Sequence, residues 1–126
     1  MKKMILLLTS LFASFIAVAE NIPAVSPHEA LQMQTQKKAV IVDVRENDEW
    51  NSGHIAGAIH IPLGEISNHI PELSKYQNSP VIVQCRSGAR SAKAADILVK
   101  AGFTNVHNLA GGLNAWQKEQ LTIQQN

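Results

Sequence analysis

Two short runs of apolar residues constrain the fold of this chain more than any other feature. They cover residues 39–44 and 81–84, and they consist largely of Val and Ile. Apolar residues stand at almost every position of each run, whereas a strand with one solvated face alternates apolar and polar residues. Both runs are therefore predicted to be strands buried on both faces, which is typical of a parallel sheet covered by helices.

Helical patterns separate these strands. Ser26 and Glu29 have the spacing of a capping box, which predicts a short helix that runs to about Gln36. The longest helix is predicted over 89–101 and is followed by Gly102, a residue typical of a helix end. Its apolar face is predicted to consist of Ala92, Ala95, Leu98 and Val99.

Further short strands are predicted near Val25, at 59–62 and at 106–109. Strands that alternate with helices indicate an α/β fold. We therefore expect a single domain with a central, mostly parallel five-stranded sheet and helices on both faces. The tail, residues 121–126, is expected to be frayed.

The start of the chain has the three parts of a secretory signal peptide. Lys2 and Lys3 precede the largely apolar segment 4–18, and Ala17-Val18-Ala19 has the small residues of a cleavage site. We expect cleavage after residue 19, a mature domain over 20–126, a periplasmic location and no stable membrane association after cleavage. The alternative is an uncleaved membrane anchor, but the apolar segment is shorter than the roughly 20 residues that a spanning helix needs.

The charge balance excludes one class of partner. The chain has 11 Lys and Arg against 10 Asp and Glu, and removal of Lys2 and Lys3 leaves 9 against 10. Such a balance provides no basic surface excess, so no nucleic-acid partner is expected. His54 and His60 are not accompanied by a pair of cysteines, so no metal site is expected. No cofactor is expected either.

The single cysteine of the chain, Cys85, directly follows the second buried strand. Ligands of parallel α/β sheets bind beyond the carboxyl ends of the strands, which is where this thiol is predicted to lie. The loop amides, the amino end of the following helix, Arg86 and Arg90 are all expected to lower the pKa of the thiol and to attract an anion. The alternative is an inert buried cysteine, but a Gly, a Ser and two Arg do not form an apolar pocket.

The length of the loop distinguishes between two kinds of thiolate chemistry. A cysteine-dependent phosphatase places five residues between its Cys and its Arg, whereas four residues separate Cys85 from Arg90. The shorter ring suits a smaller group, such as a single sulfur atom carried on Cys85. The loop also contains no His or Asp that could act as a general acid. An arsenate reductase or a small phosphatase is therefore disfavoured.

Three motifs in the expected order resemble those of the rhodanese-like domain, the sulfurtransferase family. Asp43-Val44-Arg45-Glu46, Glu49-Trp50 and the segment 53–62 are similar to the first signature of the family. Gly111-Gly112-Leu113-Asn114-Ala115-Trp116 resembles the second signature, and 85–90 corresponds to the six-residue active-site loop. The resemblance extends over roughly residues 26–116, and the signal peptide and single domain make the chain similar to small periplasmic thiosulfate sulfurtransferases of this family.

The resemblance implies a ping-pong reaction. The thiolate of Cys85 would attack the outer sulfur of thiosulfate, or of another small sulfur donor, and the persulfide would pass its sulfur to cyanide or a thiol acceptor. The donor would be bound by the rest of the loop: Arg86, Ser87, Gly88, Ala89, Arg90 and Ser91. The two arginines would bind the sulfonate oxygens, and the amides of 87–91 would hold the persulfide.

Residues outside the loop are expected to support the site. Asp43 and Arg45 resemble a structural pair of the family near the site, and Trp50, His54 and His60 are interpreted as scaffold. The pair Gly111-Gly112 is expected to let a turn approach the sheet closely. One alternative stays open, in which the domain is a sulfur-carrier or binding module that delivers persulfide sulfur to a protein partner.

Overall fold

The structure is a computed structural model that describes residues 21–125. The strands are β1 (Ala24–Val25), β2 (Val40–Asp43), β3 (Ile59–His60), β4 (Val81–Gln84) and β5 (Val106–Leu109). The α-helices are α1 (Pro27–Gln36), α2 (Asn47–Ser52), α3 (Ile70–Leu73), α4 (Ala89–Lys100) and α5 (Gly112–Lys118). Two 3-10 helices, Leu63–His69 and Ser74–Tyr76, flank α3.

The five strands form one sheet in the order β1-β5-β4-β2-β3, and every neighbouring pair is parallel. The two apolar runs are the neighbouring strands β2 and β4, with Asp43 opposite Gln84 at their carboxyl ends. Two buried clusters pack on the sheet, one that includes α4 and one that includes α1 and α5. The predicted α/β fold, with a five-stranded sheet and helices on both faces, is confirmed.

Successive residues of β4 contribute to different clusters. Val81 and Val83 pack with Ala94, Ala95 and Leu98 of α4, whereas Ile82 packs with Ile41, Leu109 and Trp116. This alternation follows from the pleat of a strand, which directs successive side chains to opposite faces. Because both faces are covered, an apolar residue is needed at nearly every position of the strand.

The predicted apolar face of α4 is wrong at Ala92. That residue is exposed, and Ala94 is fully buried instead, beside Ala95 and Leu98. Residues three, four and seven positions before Leu98 share its side of the helix, whereas Ala92 is six positions away. The position seven residues before Leu98 is Ser91, so the core-facing side of α4 begins with a buried polar group in the cysteine loop.

The predicted fraying of the tail is also wrong for residues 121–125. Gln124 and His54 exchange two backbone hydrogen bonds, with N···O distances of 2.9 and 2.6 Å. The indole Nε1 of Trp116 donates to the carbonyl of Thr122 at 3.1 Å. Leu121 and Ile123 pack against the cluster that contains Trp116. Backbone pairing with His54 and the packing of Leu121 and Ile123 hold this tail, and both depend on contacts with residues outside the tail itself.

The predicted signal peptide, residues 1–19, and Glu20 lie outside the described residues. The cleavage site, the periplasmic location and the behaviour at the membrane therefore stay predictions. Within residues 21–125, none of the helices has both the length and the apolar character that a membrane crossing requires.

The amino end of α5 lies directly against the backbone of the cysteine loop. The amide of Leu113 donates to the carbonyl of Cys85 at 2.8 Å, and the amide of Asn114 donates to that of Arg86 at 3.0 Å. Gly112 has a φ of +59°, and a Cβ there would lie 2.5 Å from the carbonyl carbon and oxygen of Arg86. A close approach is therefore found at Gly112, but its partner is the backbone of the loop after β4 and not the sheet itself, and Gly111 lies against Ala115 of α5.

We predict that Gly112→Ala destabilises the protein and displaces the cysteine loop. A left-handed backbone and a backbone contact that cannot give way together cost about 1–3 kcal/mol. The measurement is urea unfolding, together with the alkylation rate of Cys85 as a probe of the loop. The matched control is Gly64→Ala, since no atom lies within 4 Å of the added methyl group. The control is expected to change stability by at most about 0.5 kcal/mol. Equal effects of the two changes would contradict this reading of Gly112.

Candidate active site

Cys85 lies where β4 ends, and its sulfur is enclosed by the loop that follows. The residue is only 1% exposed. The backbone N–H of Gly88 donates to the sulfur at an N···S distance of 3.0 Å. Gly88 has a φ of +128°, a region that side-chain-bearing residues rarely adopt, so a glycine is suited to turn this amide toward the sulfur. The loop therefore directs at least one backbone donor at the thiol, whereas persulfide binding by the amides of 87–91 stays a prediction.

The surroundings of Cys85 lower the pKa of its thiol below the ordinary value. Burial is the largest influence and raises the pKa, because an apolar environment disfavours the thiolate. Hydrogen bonds from the hydroxyl of Ser91 and from the amides of Ser91, Gly88 and Ser87 lower the pKa and together outweigh burial. The result is a larger thiolate fraction at neutral pH than a free cysteine has, as a nucleophile requires.

The carbonyl of Cys85 is held from two directions. It accepts one hydrogen bond from the backbone amide of Leu113 in α5 and another from the side-chain Nε2 of Gln84, the latter at an N···O distance of 3.0 Å. Gln84 is fully buried at the end of β4. These two donors fix the carbonyl on the outer side of the loop. Sequence reasoning did not single out Gln84, although a polar residue at the end of a buried strand is an indication of such a role.

The two arginines of the loop have different environments. Arg86 is exposed, and no carboxylate among residues 21–125 forms an ion pair with it. It lines a cleft of about 280 Å³ together with Arg45, Asn114 and Gln117. Its exposure leaves its guanidinium available to an anion from this cleft.

Arg90 is bound by a carboxylate of the protein itself. Its Nη1 and Nη2 donate to the two oxygens of Glu49 at 2.6 and 2.9 Å. This bidentate pair lowers the pKa of Glu49 to about 2 and raises the pKa of Arg90. Glu49 also accepts the backbone N–H of Glu46 at 3.0 Å, so the pair links the start of α2 to the start of α4. Sulfonate binding by Arg90 stays a prediction, whereas its link to α2 is a positioning contact that the sequence did not indicate.

A buried ion pair supports the site from β2. The Nε and Nη2 of Arg45 donate to the carboxylate of Asp43 at 2.8 to 3.1 Å, and Nη2 also donates to the carbonyl of Gly53 at 2.8 Å. Asp43 is fully buried, and Arg45 is 4% exposed. The pair ties the carboxyl end of β2 to the segment after α2, in agreement with the structural role that was expected of it.

An aromatic stack lies beside this ion pair. The ring of Trp50 is parallel to those of His54 and His60, with centroid distances of 3.5 and 4.7 Å. His54 Nδ1 donates to the carbonyl of Trp50, and His60 Nε2 donates to that of Arg45. These contacts are those of the scaffold residues that the sequence analysis expected. Among residues 21–125, no three His, Cys, Asp or Glu side chains are grouped so that they could hold a metal ion.

Ser91 and Asn108 complete the surroundings of the sulfur. Ser91 is fully buried, and its hydroxyl oxygen lies 3.4 Å from the sulfur of Cys85 and 2.6 Å from Oδ1 of Asn108. Ser91 was predicted from the loop, whereas Asn108 was missed. Parallel strands place Asn108 of β5 opposite Val83 of β4, a register that only the sheet topology reveals.

We predict that Glu49→Gln lowers the free energy of unfolding at neutral pH by about 1 kcal/mol. This value is at the lower end for a charge-assisted hydrogen bond, because the side chains of Glu49 and Arg90 are both partly exposed to solvent. Folding lowers the pKa of Glu49 from 4.5 to about 2. Its contribution is therefore fully present above about pH 4.5 and is lost as the pH falls through about 2. The measurement is urea unfolding of both proteins between these two pH values, over which their difference should narrow.

The control for Glu49→Gln is Asp96→Asn. Asp96 pairs with Lys100 on the surface of α4, and both side chains are more exposed than Glu49 and Arg90. Surface pairs of this kind contribute about 0.2–1 kcal/mol. A difference between wild type and Glu49→Gln that stays constant from pH 7 to pH 2 would contradict the assigned coupling of Glu49 to Arg90.

The comparisons with known proteins agree with this geometry. The family model described as Rhodanese-like domain matches residues 26–119. The chain is 32% identical over 102 residues to the protein named thiosulfate sulfurtransferase GlpE of Coxiella burnetii, which covers 81% of this chain and 94% of that protein. It is 37% identical over 99 residues to the putative sulfur carrier protein YrkF of Bacillus subtilis, which covers 78% of this chain and 52% of that protein.

A solved structure gives the same result. The solution structure of the rhodanese-like domain of the Alr3790 protein from Anabaena superposes with a TM-score of 0.69 at 27% identity, and the match covers 82% of this chain and 80% of that domain. The parallel sheet, the thiol at the end of β4 and the matched family model together establish that this chain belongs to the rhodanese-like domain family.

Proposed function

We propose that this protein is a periplasmic thiosulfate sulfurtransferase that carries sulfur as a persulfide on Cys85. The observation that carries the proposal is the Gly88 amide, which lies 3.0 Å from the sulfur inside a loop of four residues between Cys85 and Arg90. The family supports sulfurtransferase activity in general, and the Coxiella burnetii relative has this activity in its name. The periplasmic location rests on the amino-terminal sequence alone.

The first half-reaction loads the enzyme. The Cys85 thiolate attacks the outer sulfur of thiosulfate, and the bond between the two sulfur atoms of thiosulfate breaks. Sulfite leaves with the bonding electron pair, so that the monoanionic thiolate and dianionic thiosulfate become a monoanionic persulfide and dianionic sulfite. Charge moves from the cysteine sulfur to the new outer sulfur, and the loop amides are the groups that would stabilise it.

The second half-reaction unloads the enzyme. Cyanide, or the thiolate of an acceptor, attacks the outer sulfur of the persulfide and breaks its bond to Cys85. The cysteine sulfur receives the bonding electron pair and becomes a thiolate again. With cyanide the product is thiocyanate. No proton has to be transferred in either half-reaction, which fits a loop without an acid group next to the sulfur.

Arg86 is the residue that we assign to the sulfonate end of the donor. It directly follows Cys85 in the chain, and its exposed side chain lines the cleft that it shares with Arg45, Asn114 and Gln117. A guanidinium presents parallel N–H groups that match the oxygens of a sulfonate, much as they match a phosphate. Arg90 contributes less directly, because Glu49 already occupies its Nη1 and Nη2.

The second candidate is a sulfur-carrier module that delivers persulfide sulfur to a protein acceptor. The similarity to the putative sulfur carrier YrkF favours it, although this chain spans about half of that protein. Both functions use the same Cys85 persulfide. They differ in which sulfur donor loads the cysteine and in what the acceptor must recognise.

We predict that incubation with thiosulfate adds one sulfur atom to the protein and that cyanide removes it. The measurement is the intact mass before and after each reagent. The control is Cys85→Ser, which removes the only thiol of the chain and should neither gain sulfur nor produce thiocyanate while its circular dichroism is retained. Wild-type protein that stays at its original mass under these conditions would contradict the proposed function.

We predict that Arg86→Ala lowers kcat/KM for thiosulfate about tenfold to a hundredfold, the range expected for loss of a charge-assisted hydrogen bond. The rate constant for cyanide should change little, because cyanide has no sulfonate group. The measurement is a ping-pong analysis in which thiosulfate and cyanide are varied separately. Arg86→Lys should restore part of the loss, since a positive charge remains.

The matched control for Arg86→Ala is Lys93→Ala, which removes an exposed cation from α4, the helix that follows the cysteine loop, and should leave both constants unchanged. A variant Arg86→Ala that keeps its thiosulfate efficiency but loses cyanide efficiency would contradict the donor-binding role. That result would assign Arg86 to the acceptor and favour the sulfur-carrier function.

A further inference from the structure

The amide of Asn108 has a defined orientation. Its Nδ2 lies 3.3 Å from the carbonyl oxygen of Gly88, and its Oδ1 lies 2.6 Å from the hydroxyl of Ser91. A carbonyl oxygen can only accept, so the group that faces Gly88 must be the NH₂ of the amide. The group that faces Ser91 is therefore the amide oxygen, which can only accept a hydrogen bond from the hydroxyl.

The hydroxyl of Ser91 has one proton and three acceptors within reach. They are Oδ1 of Asn108 at 2.6 Å, the carbonyl oxygen of Gly88 at 3.1 Å and the sulfur of Cys85 at 3.4 Å. The shortest contact is the one to Asn108. While the proton is on that contact, Ser91 can accept a hydrogen bond from a thiol but cannot donate one to a thiolate.

The charge on the sulfur changes during the proposed reaction. A thiolate attracts the Ser91 proton, whereas a neutral sulfur, in the thiol or after it has bonded to a second sulfur, does not. Asn108 offers the proton an alternative acceptor at each step when the sulfur is neutral. It also donates to the carbonyl of Gly88, the residue whose own amide points at the sulfur.

We propose that Asn108 is a positioning residue that competes with the Cys85 sulfur for the single Ser91 proton and thereby controls how readily the thiol ionises. The proposal deepens the proposed function, because it concerns the same cysteine, but ionisation of the thiol can be measured without any sulfur transfer. A failure of this proposal can therefore be distinguished from a failure of the proposed sulfur transfer.

Other charged groups surround this edge of the sheet and contribute a constant field. Arg90 interacts with the Cys85 charge and is paired with Glu49, while Asp43 and Arg45 are paired with each other. The remaining charged groups of the neighbouring elements are Arg86 of the loop, Glu46 before α2, Asp48 of α2, Lys93, Asp96 and Lys100 of α4, and Lys118 of α5. His107 of β5 precedes Asn108, so its side chain lies on the other face of the strand. Its Nε2 binds the side chain of Asn105. None of these groups shares the Ser91 proton.

The hydroxyl of Ser91 is one of the influences that lower the pKa of Cys85, against burial as the largest opposing influence. Removal of Asn108 takes away the shorter of the two competing contacts and should strengthen the contribution of Ser91, while the Gly88 carbonyl at 3.1 Å stays as the second competing acceptor. A looser loop would have the opposite effect, because the Gly88 amide would move away from the sulfur and the pKa would rise. The direction of the change therefore separates competition for the proton from a purely structural role.

The test is the pH titration of Cys85 by the ultraviolet absorbance of its thiolate and by the pH dependence of its alkylation by iodoacetamide. The chain has one cysteine, so both signals report on the same group. Asn108→Ala is expected to lower the pKa of Cys85 by about half to one pH unit, and Ser91→Ala is expected to raise it. The double variant is expected to equal Ser91→Ala, since no proton is left to compete for.

Two further variants complete the experiment. Asn105→Ala, a change of the same kind at the opposite end of β5, is expected to leave the titration unchanged. Asn108→Asp preserves the size of the side chain and supplies a stronger acceptor, but it also adds a negative charge and removes the donor to the Gly88 carbonyl, both of which raise the pKa of Cys85 whether or not Ser91 is present. Competition is therefore measured as the additional rise that disappears in the Ser91→Ala background, even where Asn108→Ala fails to fold. The proposal is overturned by an unchanged or raised pKa in folded Asn108→Ala, by the same shift when Ser91 is absent, or, in Asn108→Asp, by an unchanged or lowered pKa or by a rise that is equally large in the Ser91→Ala background.

Discussion

The site depends on two hydrogen bonds between the amino end of α5 and the backbone of the cysteine loop. The amides of Leu113 and Asn114 bind the carbonyls of Cys85 and Arg86, which fixes these carbonyls on the outer side of the loop. The amide of Gly88 then points to the sulfur on the inner side. The contact is possible because Gly112 has no side chain where the two segments meet.

Some arginines near the site are paired with carboxylates of the protein, and one is not. Glu49 holds Arg90, and Asp43 holds Arg45, so these two guanidinium groups connect α2 and β2 to neighbouring segments. Arg86 has no such carboxylate among residues 21–125 and faces the adjacent cleft. Of these three arginines, Arg86 is therefore the one whose guanidinium is not already bound to a carboxylate of the described residues. This division explains why two arginines of the same loop are expected to respond differently to substitution.

Much of the fold could be predicted because the relevant physical signals are local. The run 81–84 is apolar at nearly every position since both faces of β4 are covered, and its predicted bounds are those of the strand. Ser26 and Glu29 form the capping box that their spacing predicted at the start of α1. The errors arose where the signal was weak. Ala92 and Ala94 are the same type of residue and differ only in the side of the helix on which they lie. The tail is held by backbone pairing with His54, which is distant in the sequence.

The sequence by itself determined the kind of chemistry. One cysteine at the end of a buried strand, a glycine three residues later and the four-residue spacing to Arg90 are all visible in the chain order. The tertiary structure decided which groups act together, because contacts between distant residues depend on the order and register of the strands. Glu49 reaches Arg90 across 41 positions, and Asn108 reaches Ser91 across 17. Both pairs bring polar groups together at the carboxyl edge of a parallel sheet, where long-range packing and not local pattern selects the partner.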